Sequence, residues 1–238
     1  MADLKEQADM GECSTNYPKT RKSLYTIDHT FFDFIDTEEK AYWLGFITAD
    51  GNIFTGSGKN RISVQLAACD DGHLRKLVKS LGSNRPISYT KRNEATVVFN
   101  SKPMVESLEA VGVGPRKSAS VRPWHGSSDL MRHYWRGMVD GDGTISPCQV
   151  RNKFTVGLCG SPYCVTEFAN WARYITGSKA MPRQTTNSIC WSWQVSGTWS
   201  PQRLITELYS DSTVYLDRKK AIADKFTSIE YKNSPKRT

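Results

Sequence analysis

The chain has 238 residues, a formal net charge of +8 and a hydrophobic content of 38%. That length buries a sizeable core, either as one domain or as two closely joined halves. No run of about 18 apolar residues is present, which excludes a transmembrane helix, and no basic segment followed by an apolar one indicates a secretory signal. The positive charge indicates an acidic partner, of which nucleic acid is the usual one.

The cysteines are scattered and form no Cys-x-x-Cys pair, so we expect reduced thiols. The four histidines do not supply further zinc ligands at the required spacing. The cysteines are Cys13, Cys69, Cys148, Cys159, Cys164 and Cys190.

The first half begins with a polar segment, residues 1–24, which predicts a flexible leader. Aromatic residues between 25 and 35 are expected to pack over the helix that follows. Asp36 and Glu39 have the spacing of a capping box and predict the start of this helix. Gly51 is predicted to end it, because glycine enters the left-handed backbone region without a Cβ clash.

Beyond Gly51 the pattern alternates between strands and helices. Polar and apolar residues alternate over 61–66, which is typical of a strand with one wet face. Ser101 is predicted to cap a helix that has Pro103 in its first turn. The expected elements are strands at 52–54, 61–66, 87–89 and 95–99, and helices at 70–81 and 101–111.

The second half repeats the first. Residues 134–145 (YWRGMVDGDGTI) align without a gap to residues 42–53 (YWLGFITADGNI) and share Tyr, Trp, Gly, Asp, Gly and Ile. Ser127 to Asp129 offer a helix start signal, and Gly143 is predicted to end this helix as Gly51 ends the first. The offset of the two motif acids, 142 minus 50, is 92 residues, which indicates an internal duplication.

The later elements of the second half follow the same order. We expect a strand from 144, and a second strand with residues 149, 151, 153 and 155 on its wet face. A helix at 161–175 is followed by a strand at 188–196 with Ile189, Trp191, Trp193 and Val195 facing inward. Further helices are expected at 200–209 and after 221.

Small residues four apart give each motif helix a face that allows close backbone approach: Gly45 with Ala49, and Gly137 with Gly141. If the helices pack along these faces, Asp50 and Asp142 arrive at the same end of the pair. A carboxylate at a helix C-terminus is unfavourable, so a nearby cation is expected. Two close carboxylates repel unless a divalent ion bridges them, which implies a magnesium-type site across a pseudo-twofold axis.

The segments 43–51 and 135–143 resemble the paired motifs of the LAGLIDADG homing endonucleases. The resemblance implies that the last acid of each motif, Asp50 and Asp142, binds catalytic metal, with the preceding Ala49 and Gly141 contributing to the metal site. Two positions depart from the family pattern. Thr48 stands where an acid is frequent, and Arg136 stands where a small residue is usual.

The resemblance implies an α+β fold of two pseudo-symmetric αββαββα halves packed through the two motif helices. Each half would carry an antiparallel, saddle-shaped sheet that binds DNA along a major groove. The expected divisions are a leader (1–24), an N-terminal half (25–124), a C-terminal half (125–228) and a basic tail (229–238). A monomer with internal pseudo-twofold symmetry follows from this organisation.

Polar residues on the strands and turns are of the types that read bases and contact phosphates, although an ordinary solvated sheet face has the same composition. Basic residues also follow each half at matching points, in 114–117 and 216–219, and the family commonly keeps a basic residue near each active site. Lys117 and Lys219 resemble these catalytic residues, Lys220 being an alternative to Lys219; an ordinary surface pair is the other interpretation. The DNA-contact candidates are Arg61, Ser63, Gln65, Lys91, Arg92, Arg151, Lys153, Ser192 and Gln194.

The implied activity is that of a site-specific endonuclease that cuts double-stranded DNA at a long asymmetric site and leaves short 3′ overhangs. Mg²⁺ would be the metal, with Mn²⁺ as a substitute and Ca²⁺ binding without cleavage. An RNA maturase and a catalytically inactive DNA-binding regulator on the same scaffold are the alternatives. Retention of both acids favours the nuclease. We expect no membrane partner and no secretion, with the protein in the cytoplasm or wherever its host genome lies.

Overall fold

The structure is a computed structural model and describes residues 24–150, 152–186 and 188–230. The predicted leader up to residue 23, Arg151, and the predicted basic tail from residue 231 lie outside the described residues. Within the described ranges, no helix has the length and apolar character needed to cross a membrane.

The first half has the element order predicted from the sequence. Its motif helix leads into a four-stranded antiparallel sheet with strand order β1-β2-β4-β3. The elements are α1 (Glu38–Asp50), β1 (Gly51–Gly56), β2 (Lys59–Ala67), α2 (Asp71–Ser80), β3 (Ser88–Tyr89), β4 (Glu94–Asn100) and α3 (Lys102–Ala110).

The second half repeats this topology, and its sheet has the order β5-β6-β8-β7. One more helix, α7, follows the repeat. The α+β architecture of two αββαββα halves is thereby confirmed. The elements are α4 (Ser128–Asp142), β5 (Gly143–Pro147), β6 (Phe154–Gly160), α5 (Pro162–Thr176), β7 (Arg183–Gln184), β8 (Trp191–Gly197), α6 (Trp199–Tyr209) and α7 (Asp217–Thr227).

Several helix starts follow their predicted caps. The side chains of Ser101 and Ser161 accept hydrogen bonds from the backbone N–H of Met104 and Cys164. The capping box predicted at Asp36 is wrong, because Thr37 is the residue that caps α1. The Asp36 carboxylate instead pairs with Lys40 Nζ at 2.8 Å.

The motif helices do not end in the left-handed conformation expected at Gly51 and Gly143. Gly51 has φ −73° and ψ 141°, and Gly143 has φ −93° and ψ 171°, so both are extended and begin a strand. A Cβ atom at Gly51 would lie 2.5 Å from the carbonyl oxygen of Ile47, and one at Gly143 equally close to that of Val139. Glycine is needed at both positions because any side chain would clash with the carbonyl oxygen four residues earlier in the helix.

The two motif helices pack against each other at the centre of the molecule. A Cβ atom at Gly45 would lie 2.0 Å from the carbonyl oxygen of Tyr134, and a Cβ atom at Gly137 would lie 2.1 Å from that of Tyr42. The differences 134 minus 42 and 137 minus 45 are both 92, so the two contacts are related by the internal duplication. Backbone contact this close requires glycine on both helices.

Each sheet buries one face under its helices and leaves the other open. On β2, Ile62 and Val64 are buried while Arg61 and Gln65 are exposed. On β8, Trp193 and Val195 are buried as predicted. The prediction for Ile189 is wrong: it is 69% exposed, because β8 begins two residues later and Ile189 lies in the loop before it.

Candidate active site

The paired ends of α1 and α4 bring the two motif acids together. Asp50 is the last residue of α1 and Asp142 the last residue of α4. A Cβ atom at Gly141 would lie 2.4 Å from the Cβ of Ala49 and 3.4 Å from Asp50 Oδ2, so the two helix ends touch beside the Asp50 carboxylate. Asp50 is half-buried and Asp142 is exposed.

The electrostatics of this pair favour binding of a cation. Burial, and then the charge of Asp142, raise the pKa of Asp50 from 3.8 to about 6. The pKa of Asp142 is also raised, by the protein that covers part of its carboxyl group. Lysine side chains oppose both shifts but do not cancel them.

The cations expected near the helix ends are Lys117 and Lys219. Lys117 Nζ donates to the carbonyl oxygens of Thr48 at 2.6 Å and Ala49 at 3.0 Å. These are among the last carbonyl groups of α1, which have no partner within the helix. Lys117 lies in a single 3₁₀ turn, Lys117–Ala119, after Arg116 in the left-handed conformation.

Lys219 makes the equivalent contact with α4 and donates to more carbonyl groups than Lys117 does. Its Nζ donates to the carbonyl oxygens of Val139 at 2.6 Å, Asp140 at 2.8 Å and Gly143 at 2.7 Å, with that of Gly141 at 3.5 Å. Unlike Lys117, it lies in the first turn of a long helix, α7. The desolvation of its ammonium group lowers the pKa of Lys219 to about 8.

Both lysines therefore neutralise helix ends, and neither pairs directly with an acid in the described part of the chain. The charge of Asp142 raises the pKa of Lys117 more than that of Asp50 does. Among the lysines, Lys219 has the larger effect on Asp50 and Lys117 the larger effect on Asp142. Each lysine thus acts more strongly on the acid of the opposite half. Lys220, the alternative to Lys219, pairs with Asp224 on the same helix.

A metal ion fits the carboxylate pair by charge and by donor chemistry. No group of three or more His, Cys, Asp or Glu side chains suited to a metal exists among the described residues. Mg²⁺ does not need such a group, because it keeps several waters and takes one or two carboxylates. The carbonyl oxygens of Ala49 and Gly141 face the two lysines.

A cavity of about 270 Å³ opens beside Asp142 and Lys117. It is bounded by the end of α1 on one side and by the end of β6 and the loop before β8 on the other. Nothing in the sequence indicated this cavity, because its walls come from segments far apart in the chain. Its lining includes Thr48, Ala49, Ser118, Met138, Cys159, Gly160, Ser161 and Cys190.

The candidate DNA contacts are distributed over the open faces of both sheets and their turns. Arg61, Ser63 and Gln65 share the open face of β2, where the Arg61 guanidinium lies 4.8 Å from the ring centre of Phe54. Ser192 and Gln194 lie on the open side of β8, and Lys91 and Arg92 lie in the exposed turn before β4. Lys153 is exposed but precedes β6, so its predicted place within that strand is wrong.

The two departures from the motif pattern are both buried. Thr48 Oγ1 donates to the carbonyl oxygen of Leu44 within α1. Arg136 is 0% exposed; its guanidinium donates to Glu38 Oε1 at 2.6 Å and to the carbonyl oxygens of Val214 and Leu208, each at 3.0 Å. A buried arginine at this position needs that full set of acceptors.

Sequence reasoning missed Asp140, which is aligned with Thr48 and is 1% exposed. Its carboxylate accepts hydrogen bonds from the hydroxyls of Tyr42 and Tyr209 and from the backbone N–H of Leu216. The available signal was the contrast between Thr-Ala-Asp in the first motif and Asp-Gly-Asp in the second.

No protein-family model matches the sequence, and no curated protein matches it. Solved structures do match over most of the chain. The meganuclease I-SmaMI bound to uncleaveable DNA is 12% identical, with a TM-score of 0.54 over 77% of this chain and 88% of that one. The LAGLIDADG meganuclease I-AabMI bound to uncleaved DNA is 12% identical, with a TM-score of 0.52 over 79% and 88%.

The I-LtrWI LAGLIDADG homing endonuclease bound to target DNA is 7% identical and gives a TM-score of 0.53 over 84% of this chain and 89% of that one. The chain has the LAGLIDADG homing endonuclease fold. In this fold the motif helices of the present chain form the junction between the halves, and the acids Asp50 and Asp142 lie at one end of that junction.

Proposed function

We propose that this protein is a site-specific endonuclease that cuts double-stranded DNA with the help of a divalent metal. The observation that carries the proposal is the pair of carboxylates, Asp50 and Asp142, at the joined ends of the two motif helices. The charge of Asp142 contributes to the raised pKa of Asp50, as expected for a pair that a divalent cation would relieve.

In this proposal Asp50 and Asp142 hold the metal, which is Mg²⁺, with Mn²⁺ as a substitute and Ca²⁺ supporting binding without cleavage. When bound, such an ion supplies a more acidic water and Lewis acidity towards a phosphodiester. The chain itself brings one acid from each half to a common point. Lys117 and Lys219 add positive charge there, which favours approach of a phosphate.

The open faces of the two sheets supply the DNA contact in this proposal. They carry hydroxyl, amide and guanidinium groups, and a net charge of +8 favours a polyanion. The face residues differ between the halves: β2 carries Arg61, Ser63 and Gln65, whereas the equivalent positions of β6 carry Thr155, Gly157 and Cys159. The target is therefore a long site without palindromic symmetry.

The proposal is tested by selecting cleavable duplexes from a randomised DNA library in Mg²⁺. The wild type is compared with an Asp50→Asn/Asp142→Asn double variant, and with Asp36→Asn as a matched control on an exposed carboxylate. We expect one asymmetric site to be enriched and cut by the wild type and the control only. DNA binding without cleavage in Mg²⁺ or Mn²⁺ would contradict the nuclease and favour a DNA-binding regulator or an RNA maturase.

A further inference from the structure

The buried carboxylate of Asp140 connects the second motif helix to the start of α7. Asp140 Oδ2 accepts from the backbone N–H of Leu216 at 2.8 Å and from Tyr42 Oη at 2.7 Å. Asp140 Oδ1 accepts from Tyr209 Oη. Leu216 is the residue immediately before α7, so the carboxylate fixes the point at which that helix begins.

Lys219 lies one turn into the same helix. Its Nζ reaches the carbonyl oxygens of Val139 and Asp140 at the end of α4, and that of Gly143 just beyond it. Asp140 therefore contacts the α7 segment twice, through its carboxylate at Leu216 and through its carbonyl oxygen at Lys219. Movement of Leu216 away from the carboxylate would withdraw Lys219 from these carbonyl groups, because the backbone N–H groups of Lys219 and Lys220 both donate to the carbonyl oxygen of Leu216 at 3.0 Å.

Among the residues of the first half that the structure describes, from 24 onward, no equivalent connection is present. Thr48 is aligned with Asp140, and its hydroxyl is hydrogen-bonded to Leu44 within its own helix. Lys117 reaches the end of α1 from a single 3₁₀ turn. Lys117 is 9% exposed and Lys219 is 3% exposed, so the two ammonium groups are buried to a similar degree by different means.

We propose that Asp140 is a positioning residue, which anchors the start of α7 and thereby holds the Lys219 ammonium at the candidate active site. The consequence for DNA cleavage rests on the proposed function, whereas the anchoring of Lys219 does not. The competing explanation is that contacts from the first half suffice to hold α7. Lys76 Nζ donates to the carbonyl oxygen of Tyr215 at 3.0 Å and pairs with Asp217 at 2.6 Å, and Arg218 pairs with Asp70.

The first test needs neither metal nor DNA. Amine labelling of the folded protein, read by mass spectrometry, gives the modification rates of Lys219 and Lys117 in the same molecule. Asp140→Ala removes the acceptor for Leu216, and we expect Lys219 to react about tenfold faster while Lys117 is unchanged. Asp140→Asn keeps an oxygen for Leu216 and should restore most of the protection.

The labelling rate of Lys117 serves as an internal reference. It separates local release of α7 from a general loss of structure, which would expose both lysines. If Asp140→Ala unfolds the protein, Tyr209→Phe removes a single hydrogen bond to the carboxylate and is expected to raise Lys219 labelling in the same direction. Unchanged Lys219 labelling in a folded Asp140→Ala protein would overturn the proposal. In that case Lys76→Met should release Lys219 instead, as the competing explanation requires.

The second test uses a cleavable duplex with a different label on each strand. Because Lys219 contacts the end of α4 and Lys117 the end of α1, Asp140→Ala should slow one strand about tenfold more than the other, and Lys219→Met should slow the same strand. Adding Asp140→Ala to Lys219→Met should then have little further effect. Equal slowing of both strands would contradict positioning through Lys219, whereas a wild type that cuts nothing would refute only the proposed function.

Discussion

The two motif helices are alike where their backbones touch and different where they face the rest of the molecule. Gly45 and Gly137 make the same contact from opposite sides of the junction. At two other aligned positions, α1 has Leu44 and Thr48 whereas α4 has Arg136 and Asp140, all of them buried. The duplicated part therefore makes the junction, while the second half alone adds buried charges that connect α4 to α6, α7 and the start of α1.

The comparison predicts that the glycine contact is equally important on both sides. Gly45→Ala and Gly137→Ala should each lower the free energy of unfolding by about 4 kcal/mol or more, because each new Cβ would meet a backbone oxygen that cannot move aside. Urea titration of both variants measures this. Gly72→Ala is the control, since nothing lies within 4 Å of its Cβ position on α2. A large difference between the two junction variants would refute the symmetry of the contact.

The buried charge of Arg136 on α4 should contribute to stability, whereas its aligned residue on α1, Leu44, carries no charge. Arg136→Leu gives the second motif the residue found at position 44 and leaves Glu38 without its closest cation. We expect a loss of about 3 kcal/mol in the free energy of unfolding, the usual result of breaking a buried ion pair. Adding Glu38→Gln should restore part of that loss.

The control for Arg136→Leu is Lys40→Met, which breaks an ion pair between Lys40 on α1 and the exposed Asp36 just before that helix. That change should cost about 0.5 kcal/mol or less, because water screens an exposed pair. Equal losses for the two variants would show that the Arg136 network does not stabilise the second half.

The contrast between the duplicated junction and the contacts made by the second half alone explains what the sequence could predict. The duplicated motif, with small residues four apart and an acid at each helix end, predicted the paired helices and the meeting of Asp50 with Asp142. Ser101, with Pro103 in the first turn, predicted a helix start because capping is local chemistry. Such features depend on residues a few positions apart, so they are visible in the chain.

Features that depend on distant segments were missed. Arg136 stood out only as a departure from a pattern, since its acceptors at 38, 208 and 214 are brought together by the fold. Lys117 and Lys219 lie close enough to Asp50 to affect its pKa, but the sequence did not show that their ammonium groups bind helix-end carbonyls. Ile189 was assigned to the core because periodicity alone does not show where a strand begins.

Lys219 should contribute more to stability than Lys117, because its ammonium group donates to more carbonyl oxygens. Lys219→Met removes the donor from the carbonyl oxygens at the end of α4, and Lys117→Met removes it from two at the end of α1. We expect losses of about 2 kcal/mol and about 1 kcal/mol in the free energy of unfolding. Lys220→Met, which breaks a pair with the exposed Asp224, is the control. A larger loss for Lys117→Met would reverse the comparison.

The acids should differ in their pH dependence, because burial and the charge of Asp142 both raise the pKa of Asp50, whereas burial alone raises that of Asp142. The pKa of Asp50 is raised from 3.8 to about 6, so between these values the folded protein keeps a proton that the unfolded chain has released. Without divalent metal, the free energy of unfolding should therefore fall as the pH rises through this window. We expect a fall of about 1 kcal/mol from this group, less than the full shift would give, because solvent screens a partly exposed carboxyl group.

Subtracting the curve of Asp50→Asn from that of the wild type isolates this contribution, and identical curves would contradict it. In Asp142→Asn the neighbouring charge that helps to raise the pKa of Asp50 is gone, while the burial of Asp50 is kept. The fall should then be smaller and should end at a lower pH. If a divalent ion is held by both carboxylates, adding Mg²⁺ at pH 7 should stabilise the wild type and leave the double variant unaffected, since only the ionised pair offers it a site.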